Sequence, residues 1–591
     1  MAATKEAALE HGPDGSHEEG GDLGDEAFEL FTAAQAHEEG GDLDEAFALY
    51  ERIEALALGQ SPAGAGERRD PRWKFAELVA SDEPPLHVLA ATAANCAGGL
   101  FLDEGEYTEA RSWFQRSLQW WDAAVMARLN LGNIEREHGN PEVAISLYSK
   151  IAEQEQEWAS QRNEFTAKSD ADAQAAQDSW ISNWLEHPLR SCGQQAAYLI
   201  ALMHHQWGRY DAAVPYLQKY PVKWRIGPAV WKCVGKSSEA DPGASLEVDQ
   251  TCPVRLVKGA LNDELLAALQ HAFRPSSTFW DGTNYCDGAY FSFWYEIDRK
   301  PSNLVEQAIQ ELLSHLGRDD IVGAEWWVHS RPSGRNLGHQ LHFDTEENSL
   351  GGENETILHP AVSSVVYLTG AATGAGPTVV FDQRVQDVTP GKRAFVSNPV
   401  DGSFLTFPGD RLHGVLPGRP PKPGKRTRQA ETKLRDPTSE PHRLTLLVGF
   451  WTREVQKIGK RRRLGPCAPF PRASRGVDWP SEIDTIPLSD ESKASTSGSS
   501  IVPLPVHRVP EGQAWEAVPP GPHPPQYETL PDGLDQHFFV ADHAEFRRRL
   551  LSTNAGNDED DDDVDDAEAN IDVEEENNDD DASGDGASSA K

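Results

Sequence analysis

The sequence predicts a multidomain α + β protein, with an α-helical repeat domain followed by an antiparallel β sandwich or barrel. Apolar residues recur at helical spacing over 27–236, and short β-branched and aromatic runs, separated by Gly and Pro, fill 250–455. The chain has 591 residues, which is more than one hydrophobic core normally holds. At least two domains are therefore expected.

Charge is distributed unevenly along the chain. The formal net charge is -41, and acidic residues dominate the stretch from Asp558 to Asp585. Like charges at this density repel and leave little apolar surface to bury, so 552–591 is predicted to be a disordered acidic tail. The polar, Gly-rich residues 1–26 are predicted to be disordered as well. The tail is either a solvated segment or a contact for basic proteins, and the overall charge argues against nucleic acid as a ligand.

Cysteine usage and apolar content bear on the compartment. The six cysteines form no C-x-x-C pair, which argues against zinc ribbons and a disulfide framework and fits a reducing compartment. We find neither an apolar leader nor 18 consecutive apolar residues, so we expect a cytoplasmic or nuclear protein that is not secreted and has no transmembrane segment. The basic run "GKRRR" (459–463) is either a nuclear address or a solvated loop.

A repeat lies inside the helical region. Four glycines are each followed by Ala at the fifth position and by a large apolar residue at the ninth: Gly41 with Ala46 and Tyr50, Gly105 with Ala110 and Phe114, Gly139 with Ala144 and Tyr148, and Gly208 with Ala213 and Leu217. Gly105 and Gly139 are 34 residues apart. This pattern is typical of stacked helix-turn-helix units, and it resembles the tetratricopeptide family. The alternative is an ordinary irregular helical domain.

The pattern changes after a boundary near 237–249. Two helices, predicted over Asn262–Phe273 and Pro301–Leu316, are interspersed with strand-like segments such as "EWWVHSRP", "HQLHFD" and "HRLTLLVGFW". Many short strands separated by Gly and Pro turns favour an antiparallel sandwich or barrel.

A candidate metal site lies within "LGHQLHFDTEE" (337–347). On a strand, residues i and i+2 point to the same face, so His342 and Asp344 project together. A third ligand is needed, and His413 in "FLTFPGDRLHGVLPG" is the best candidate. Two His and one carboxylate form the facial triad of non-haem Fe(II) oxygenases. A single histidine is more often structural, and His339 and His359 are interpreted as surface or supporting residues.

A candidate anion site lies on a later strand. Arg443 and Thr445 again occupy positions i and i+2, in the otherwise apolar "HRLTLLVGFW". Burying an arginine in the interior costs free energy unless it binds an anion, and a guanidinium can bind a carboxylate through two parallel hydrogen bonds.

Taken together, these residues resemble the Fe(II)/2-oxoglutarate-dependent dioxygenases, and more finely their prolyl 4-hydroxylase-like subgroup, over about 254–451. The matching motifs are His342-x-Asp344, distal His413 and Arg443-x-Thr445, with "HPAVSSVVYLTGAATGAGPTVVFD" and "GSFLTFPGDRLHGVLP". The resemblance implies a double-stranded β-helix (jelly-roll) domain over 250–455. It also implies catalytic Fe(II) on His342, Asp344 and His413, with 2-oxoglutarate on Arg443 and Thr445. O2 is the implied second co-substrate, and ascorbate is a further candidate cofactor.

The sequence departs from the family pattern at three points. Thirty residues follow His413 up to Arg443, and we interpret 419–440 as an inserted loop. Prolyl hydroxylases typically carry Lys where Arg443 stands. The family's upstream co-substrate Tyr has no clear counterpart, and Trp327, His329 and Arg331 remain open as candidates.

The C-terminal part is predicted to contain a Pro/Ser-rich linker (465–533) and a possible amphipathic docking helix (534–551). The function expected from the resemblance is hydroxylation of a C–H bond, with a protein or peptide as substrate and the repeats binding substrate or partner. Two alternatives are kept. One is a repeat-based interaction scaffold with an inactive jelly roll, and the other is a metal cupin without oxygenase activity. The cupin alternative gives no role to a buried Arg443.

Overall fold

The structure is a computed structural model, and it describes most of the two predicted domains. The described residues are 23–59, 78–79, 84–170, 174, 176, 180–235, 253–283, 291–332, 338–346, 357–370, 376–387, 389–418, 442–455, 467–473, 479–488, 501–531 and 538–540. The predicted boundary (237–249), the insert (419–440), the basic run (459–463) and the acidic tail (552–591) lie outside them, as do residues 1–22.

The N-terminal part is helical, and its first helix begins at Leu23, within the last four residues of the stretch predicted to be disordered (1–26). Its elements are α1 (Leu23–Glu39), α2 (Leu43–Gly59), α3 (Leu86–Asp103), α4 (Tyr107–Trp120), α5 (Val125–Glu137), α6 (Pro141–Thr166), a π-helical turn (Ser182–Glu186), α7 (His187–Gln206), α8 (Tyr210–Leu217), strand β1 (Trp224–Ile226) and α9 (Pro228–Trp231).

The four repeat glycines occupy the turns between paired helices. Gly41, Gly105, Gly139 and Gly208 join α1 to α2, α3 to α4, α5 to α6 and α7 to α8. Their φ angles are +79°, +80°, +75° and +71°, which is the left-handed region that favours glycine. The alanine five positions later is fully buried in every unit. The predicted helix-turn-helix geometry is therefore present.

In two of the units the large residue fills a space that a glycine leaves on the preceding helix. A Cβ added to Gly98 would lie 2.7 Å from the Phe114 ring, and one added to Gly132 would lie 2.5 Å from the Tyr148 ring. In both pairs the aromatic residue lies 16 positions after the glycine. The close approach of the paired helices thus depends on these glycines.

Helix α3 has the length and mean hydropathy, 1.2 over 18 residues, of a membrane span. It packs against α2 and α4, and its alanines are buried in the cores of the repeat stack. A core helix of a folded domain gives the same signal.

The second part is rich in strands. They are β2 (Arg255–Lys258), β3 (Phe293–Glu296), β4 (Gly323–Pro332), β5 (His339–His342), β6 (Val362–Tyr367), β7 (Thr378–Arg384), β8 (Ala394–Ser397), β9 (Ser403–Phe407), β10 (Arg411–Val415), β11 (His442–Trp451), β12 (Ala468–Pro469), β13 (Val502–Leu504), β14 (His507–Arg508), β15 (Trp515–Ala517) and β16 (Phe539–Val540). A mixed α + β chain, helical first and sheet-rich second, is confirmed.

Two of the sheets form a sandwich. The larger has the strand order β12-β3-β4-β11-β6-β9-β2-β13, and the smaller has the order β14-β8-β7-β10-β5. From β4 to β11 the chain crosses repeatedly between the two, because β4, β6, β9 and β11 belong to the larger sheet and β5, β7, β8 and β10 to the smaller. This alternation is consistent with a jelly roll.

Helices cover the outer face of the larger sheet. They are α10 (Asp263–Ala272), α11 (Thr278–Thr283) and α12 (Leu304–Leu313). Asn262 and Asn303 cap α10 and α12, because each side chain accepts a hydrogen bond from the backbone N–H three residues later. Alternate residues of β4 and β11, such as Val328 and Leu446, pack beneath these helices. The intervening residues of each strand therefore face the interior of the sandwich.

The C-terminal segment differs from its prediction. The sequence predicts a linker over 465–533, but β12, β13, β14 and β15 lie within it and pair with β3, β2, β8 and β1. These strands have only two or three residues each, which is too short for an alternating pattern to register. A docking helix is predicted over 534–551, but β16 is a strand that pairs with β1. Residues 538–540 thus lie on the helical part as an edge strand, and 534–537 and 541–551 lie outside the described residues.

One hydrophobic core joins the two domains. It contains Tyr198 and Trp231 from the helical part, Leu341 and Leu412 from the smaller sheet, and Trp515 from the C-terminal segment. The smaller sheet thus has its outer face covered by the repeat domain.

Candidate metal centre

The two candidate histidine ligands lie opposite one another on neighbouring strands. His342 of β5 is the direct cross-strand partner of His413 on β10. Their ring centroids are 4.3 Å apart. The residues that alternate with them, Leu341 and Leu412, are buried in the shared core on the other face. The period of two along each strand therefore turns both imidazoles toward the interior.

Asp344 completes the group just beyond the end of β5. Its Oδ1 lies 3.7 Å from His342 Nε2 and 3.5 Å from His413 Nε2. Candidate ligand atoms of all three residues lie within 4.8 Å of one another. The structure thus brings together three residues that the sequence separates by up to 71 positions.

The hydrogen bonds around the group orient its ligand atoms. His342 Nδ1 donates to the Gln340 carbonyl and His413 Nδ1 to the Arg411 carbonyl, both at 2.9 Å. Each ring consequently presents Nε2 to the centre. The Ser363 hydroxyl donates to Asp344 Oδ2, which leaves Oδ1 directed at the histidines. Such outer hydrogen bonds fix ligand orientation in metal sites.

Electrostatics favour a neutral His342 imidazole. Burial, followed by the neighbouring His413, lowers the pKa of His342 to about 4, although the Asp344 carboxylate acts in the opposite direction. A histidine that stays neutral keeps a lone pair on Nε2 for a metal ion. Two imidazoles and one carboxylate match the ligand set of the facial triad, with room for exogenous ligands.

His339 and His359 both lie beside the triad. The His339 ring contacts the His342 ring at a centroid distance of 4.9 Å, and His359 Nδ1 donates to the Asp344 carbonyl at 2.7 Å. Arg331 Nη2 donates to His339 Nδ1 at 2.9 Å. Burial, and then the neighbouring His342 and Arg331, hold the pKa of His339 well below its usual range. Both histidines are supporting residues of the group.

Arg443 and Thr445 lie in the interior on β11. The Arg443 side chain is 3% exposed, and its Nη2 lies 3.4 Å from Thr378 Oγ1. Thr378 also accepts a hydrogen bond from Tyr367 Oη at 2.8 Å, and the Arg443 guanidinium lies 5.5 Å from the Tyr367 ring centre. Thr445 is fully buried and pairs with Tyr367 across the strands.

The guanidinium is incompletely satisfied. Within the part of the chain that the structure describes, Arg443 Nε is buried without a hydrogen-bond partner. Burial lowers the pKa of Arg443, with a smaller opposing effect from Tyr367. Burying a cation with an open N–H costs free energy that a bound anion offsets, and a carboxylate is the natural bidentate partner. The residues present therefore fit the distal carboxylate of a keto acid such as 2-oxoglutarate.

The three upstream candidates all lie on β4, beside β11. Trp327 pairs with Leu447, His329 with Thr445 and Arg331 with Arg443. His329 is the one opposite Thr445, and burial and then nearby cations hold its pKa well below its usual range. Tyr367, Thr378 and Ser363 lie in the stretch "HPAVSSVVYLTGAATGAGPTVVFD", but sequence reasoning assigned them no role at the site. Their roles depend on pairing between distant strands.

Comparison with known proteins gives limited results. A tetratricopeptide repeat model matches residues 194–220, which span the end of α7, the Gly208 turn and α8. No curated protein matches the sequence.

Three solved structures show low similarity. A prolyl-4-hydroxylase of Pseudomonas putida is 16% identical, with a TM-score of 0.21, over 34% of this chain and 90% of its own. A prolyl 4-hydroxylase of Phytophthora capsici is 15% identical, with a TM-score of 0.20, over 34% of this chain and 58% of its own. HygX of Streptomyces hygroscopicus, solved with nickel and 2-oxoglutarate bound, is 12% identical, with a TM-score of 0.21, over 34% of this chain and 83% of its own. TM-scores this low do not establish a shared fold.

Proposed function

We propose that this protein is an Fe(II)- and 2-oxoglutarate-dependent dioxygenase that hydroxylates a C–H bond of a protein or peptide. One observation carries the proposal. The sandwich holds a His-Asp-His group whose ligand atoms lie within 4.8 Å of one another, and the same interior holds a buried arginine with an open N–H. A metal cupin without a keto-acid co-substrate has no use for that arginine.

The roles of the residues follow from the contacts. His342, Asp344 and His413 would hold the metal, with both imidazoles presented through Nε2. Three protein ligands on one face leave open positions for exogenous ligands. Ser363 would keep the Asp344 carboxylate oriented toward the metal.

A second group of residues would hold the co-substrate. The guanidinium of Arg443 would bind the distal carboxylate, with the hydroxyls of Thr378, Tyr367 and Thr445 nearby. Burial of these groups excludes water and strengthens the charge-assisted hydrogen bonds. When bound with 2-oxoglutarate and O2, Fe(II) supplies the chemistry that couples oxidative decarboxylation to succinate and CO2 with transfer of one oxygen atom into a C–H bond.

The substrate class is inferred from the repeat domain. Stacked helical repeats form extended surfaces that bind proteins and peptides. This domain is joined to the smaller sheet, which carries both histidines, through a common core. A peptide held on the repeats would therefore have a fixed orientation to the metal centre. The prolyl hydroxylase-like subgroup in particular is a proposal from the motifs.

The repeat match also favours a second function, a protein-interaction scaffold whose jelly roll is catalytically silent. Metal-dependent binding of 2-oxoglutarate separates the two. Calorimetric titration of 2-oxoglutarate into the Mn(II)-loaded protein should show one site in the wild type and none in Asp344→Ala. Equal binding by both proteins, or binding by neither, would contradict the proposed function and favour the scaffold.

A further inference from the structure

The strands that carry the metal ligands have a second face, and it contacts the C-terminal end of the described chain. Phe343 and Leu416 follow β5 and β10 and are buried in the same core as Phe538 and Phe539. The metal-ligand strands therefore share a core with residues that lie 195 positions after Phe343 and 122 positions after Leu416.

Gly338 marks the closest approach. It immediately precedes β5 and has a φ of +91°. A Cβ placed there would collide with the Val415 carbonyl oxygen at the end of β10 and would lie 2.9 Å from the Phe538 ring. The start of one histidine strand, the end of the other and the Phe538 ring thus meet at one point.

The helical domain holds Phe538 and Phe539 in place. The Phe538 N–H donates to Tyr198 Oη at 3.2 Å, and the Phe539 ring packs on Tyr198 and His205 at centroid distances of 5.2 and 5.1 Å. The Lys223 N–H donates to the Val540 carbonyl at 3.0 Å. Residues 538–540 are therefore anchored on α7 and β1 of the repeat domain.

A second link joins the same helix to the distal histidine strand. Gln206, buried at the end of α7, donates from Nε2 to the Gly418 carbonyl at 3.3 Å, three residues beyond β10. The loop after His413 is thus tied to the helix that also anchors Phe538 and Phe539.

We propose that residues 538–540, the C-terminal clamp, position the metal centre by pressing β5 and β10 together from behind. Phe538 is the positioning residue, and it acts through Gly338 without touching a ligand. The proposal rests on the proposed metal site. It assigns a role in metal binding to a segment that otherwise only closes the fold.

Phe538 is expected to affect metal binding because a site with three protein ligands depends on their relative positions. A phenyl ring removed from a close-packed core leaves a space that neighbouring chains fill only in part. If Gly338 and the start of β5 relax into that space, the His342 ring shifts relative to His413. Loss of groups that orient metal ligands typically weakens metal binding by about 10- to 100-fold. We expect a loss of that size for Phe538→Ala.

The test uses the full-length chain and Co(II), whose visible absorption reports both affinity and coordination geometry. Phe538→Ala is compared with Phe273→Ala, a matched truncation of a fully buried ring that packs under the helices of the larger sheet. Both variants should lower Tm. Only Phe538→Ala should weaken Co(II) binding by about 10- to 100-fold and change the absorption spectrum. Phe538→Leu should restore most of the Co(II) affinity and of the wild-type spectrum.

Each outcome decides the question. If folded Phe538→Ala, or Phe538→Val where the alanine variant does not fold, binds Co(II) with wild-type affinity and spectrum, the clamp has only a structural role. Equal losses in Phe538→Ala and Phe273→Ala give the same conclusion. If the wild type binds no Co(II), the proposed metal site itself is wrong, and the clamp proposal is refuted with it.

Discussion

Arg443 allows the sharpest prediction because its effects on stability and on ligand binding should have opposite signs. The side chain is 3% exposed, and Nε has no partner within the described residues. Without an anion, the guanidinium is a buried charge that is incompletely satisfied. Replacing such a group with an apolar side chain of similar volume is often neutral or stabilising by about 1–4 kcal/mol. We therefore expect Arg443→Met to leave the ligand-free protein as stable as the wild type, or more stable.

Binding of 2-oxoglutarate should change in the other direction. Truncating one partner of a buried, hydrogen-bonded charge pair costs about 2–5 kcal/mol, because the other charge is left buried and unpaired. That range corresponds to roughly a 30- to 5,000-fold increase in Kd. Thermal unfolding of the Mn(II)-loaded protein at graded 2-oxoglutarate concentrations measures both quantities. A ligand at 100 times its Kd stabilises the native state by about 2.7 kcal/mol. The wild type should show this shift and Arg443→Met should not.

Arg225 provides the matched control. It is equally buried, at 4% exposure, but its Nη2 forms an ion pair with Glu516 at 2.8 Å and its Nη1 donates to the Tyr210 carbonyl. Arg225→Met should destabilise the protein and leave the 2-oxoglutarate shift unchanged. If Arg443→Met destabilises the free protein as much as Arg225→Met does and keeps the ligand shift, Arg443 is a structural residue and the reasoning is refuted.

Further predictions concern the ligand group, the repeat turns and a buried histidine. Ser363→Ala should weaken Mn(II) binding by about 10- to 100-fold because Asp344 loses an orienting donor, and unchanged calorimetric affinity would contradict this. Gly139→Ala should cost about 1 kcal/mol in urea denaturation because φ is +75°, whereas Gly99→Ala, in an open helical position, should stabilise by roughly 0.5–1 kcal/mol. A neutral Gly139→Ala would refute the assigned turn. Burial lowers the pKa of His205 to about 3 from 6.5, so the unfolded chain takes up a proton that the folded chain does not. The contribution of His205 to the free energy of unfolding is fully present above about pH 6.5. It decreases as pH falls, by about 2 kcal/mol at pH 5. His205→Phe should remove that part of the pH dependence between pH 7.5 and 5, and an unchanged slope would show that His205 is not its source.

The local geometry of the site could be predicted from the sequence because it follows from short-range rules. Residues two apart on a strand lie on the same face, and this rule correctly places Thr445 with Arg443 on β11. Asp344 also lies beside His342 as predicted, although β5 ends at His342. A glycine between two amphipathic helices predicts a turn with left-handed backbone conformation, and Gly139 has a φ of +75°.

The contacts that complete the site could not be predicted because they join distant strands. Ser363 reaches Asp344 only through the fold of the sandwich, and Thr378 meets Arg443 from the opposite sheet. The C-terminal strands escaped prediction for a related reason. A strand of two residues such as β16 has no periodicity, and it is ordered by pairing with β1 and by packing on Tyr198.

The most direct test of the account is succinate release. The protein is reconstituted anaerobically with Fe(II), ascorbate and 2-oxoglutarate, O2 is admitted, and succinate is measured against His342→Ala and Arg443→Ala. We expect slow succinate formation by the wild type, even without an added substrate, and none above background in either variant. Succinate release at equal rates by all three proteins would contradict it. So would the absence of succinate from a wild type that also fails to bind 2-oxoglutarate in its Fe(II) form.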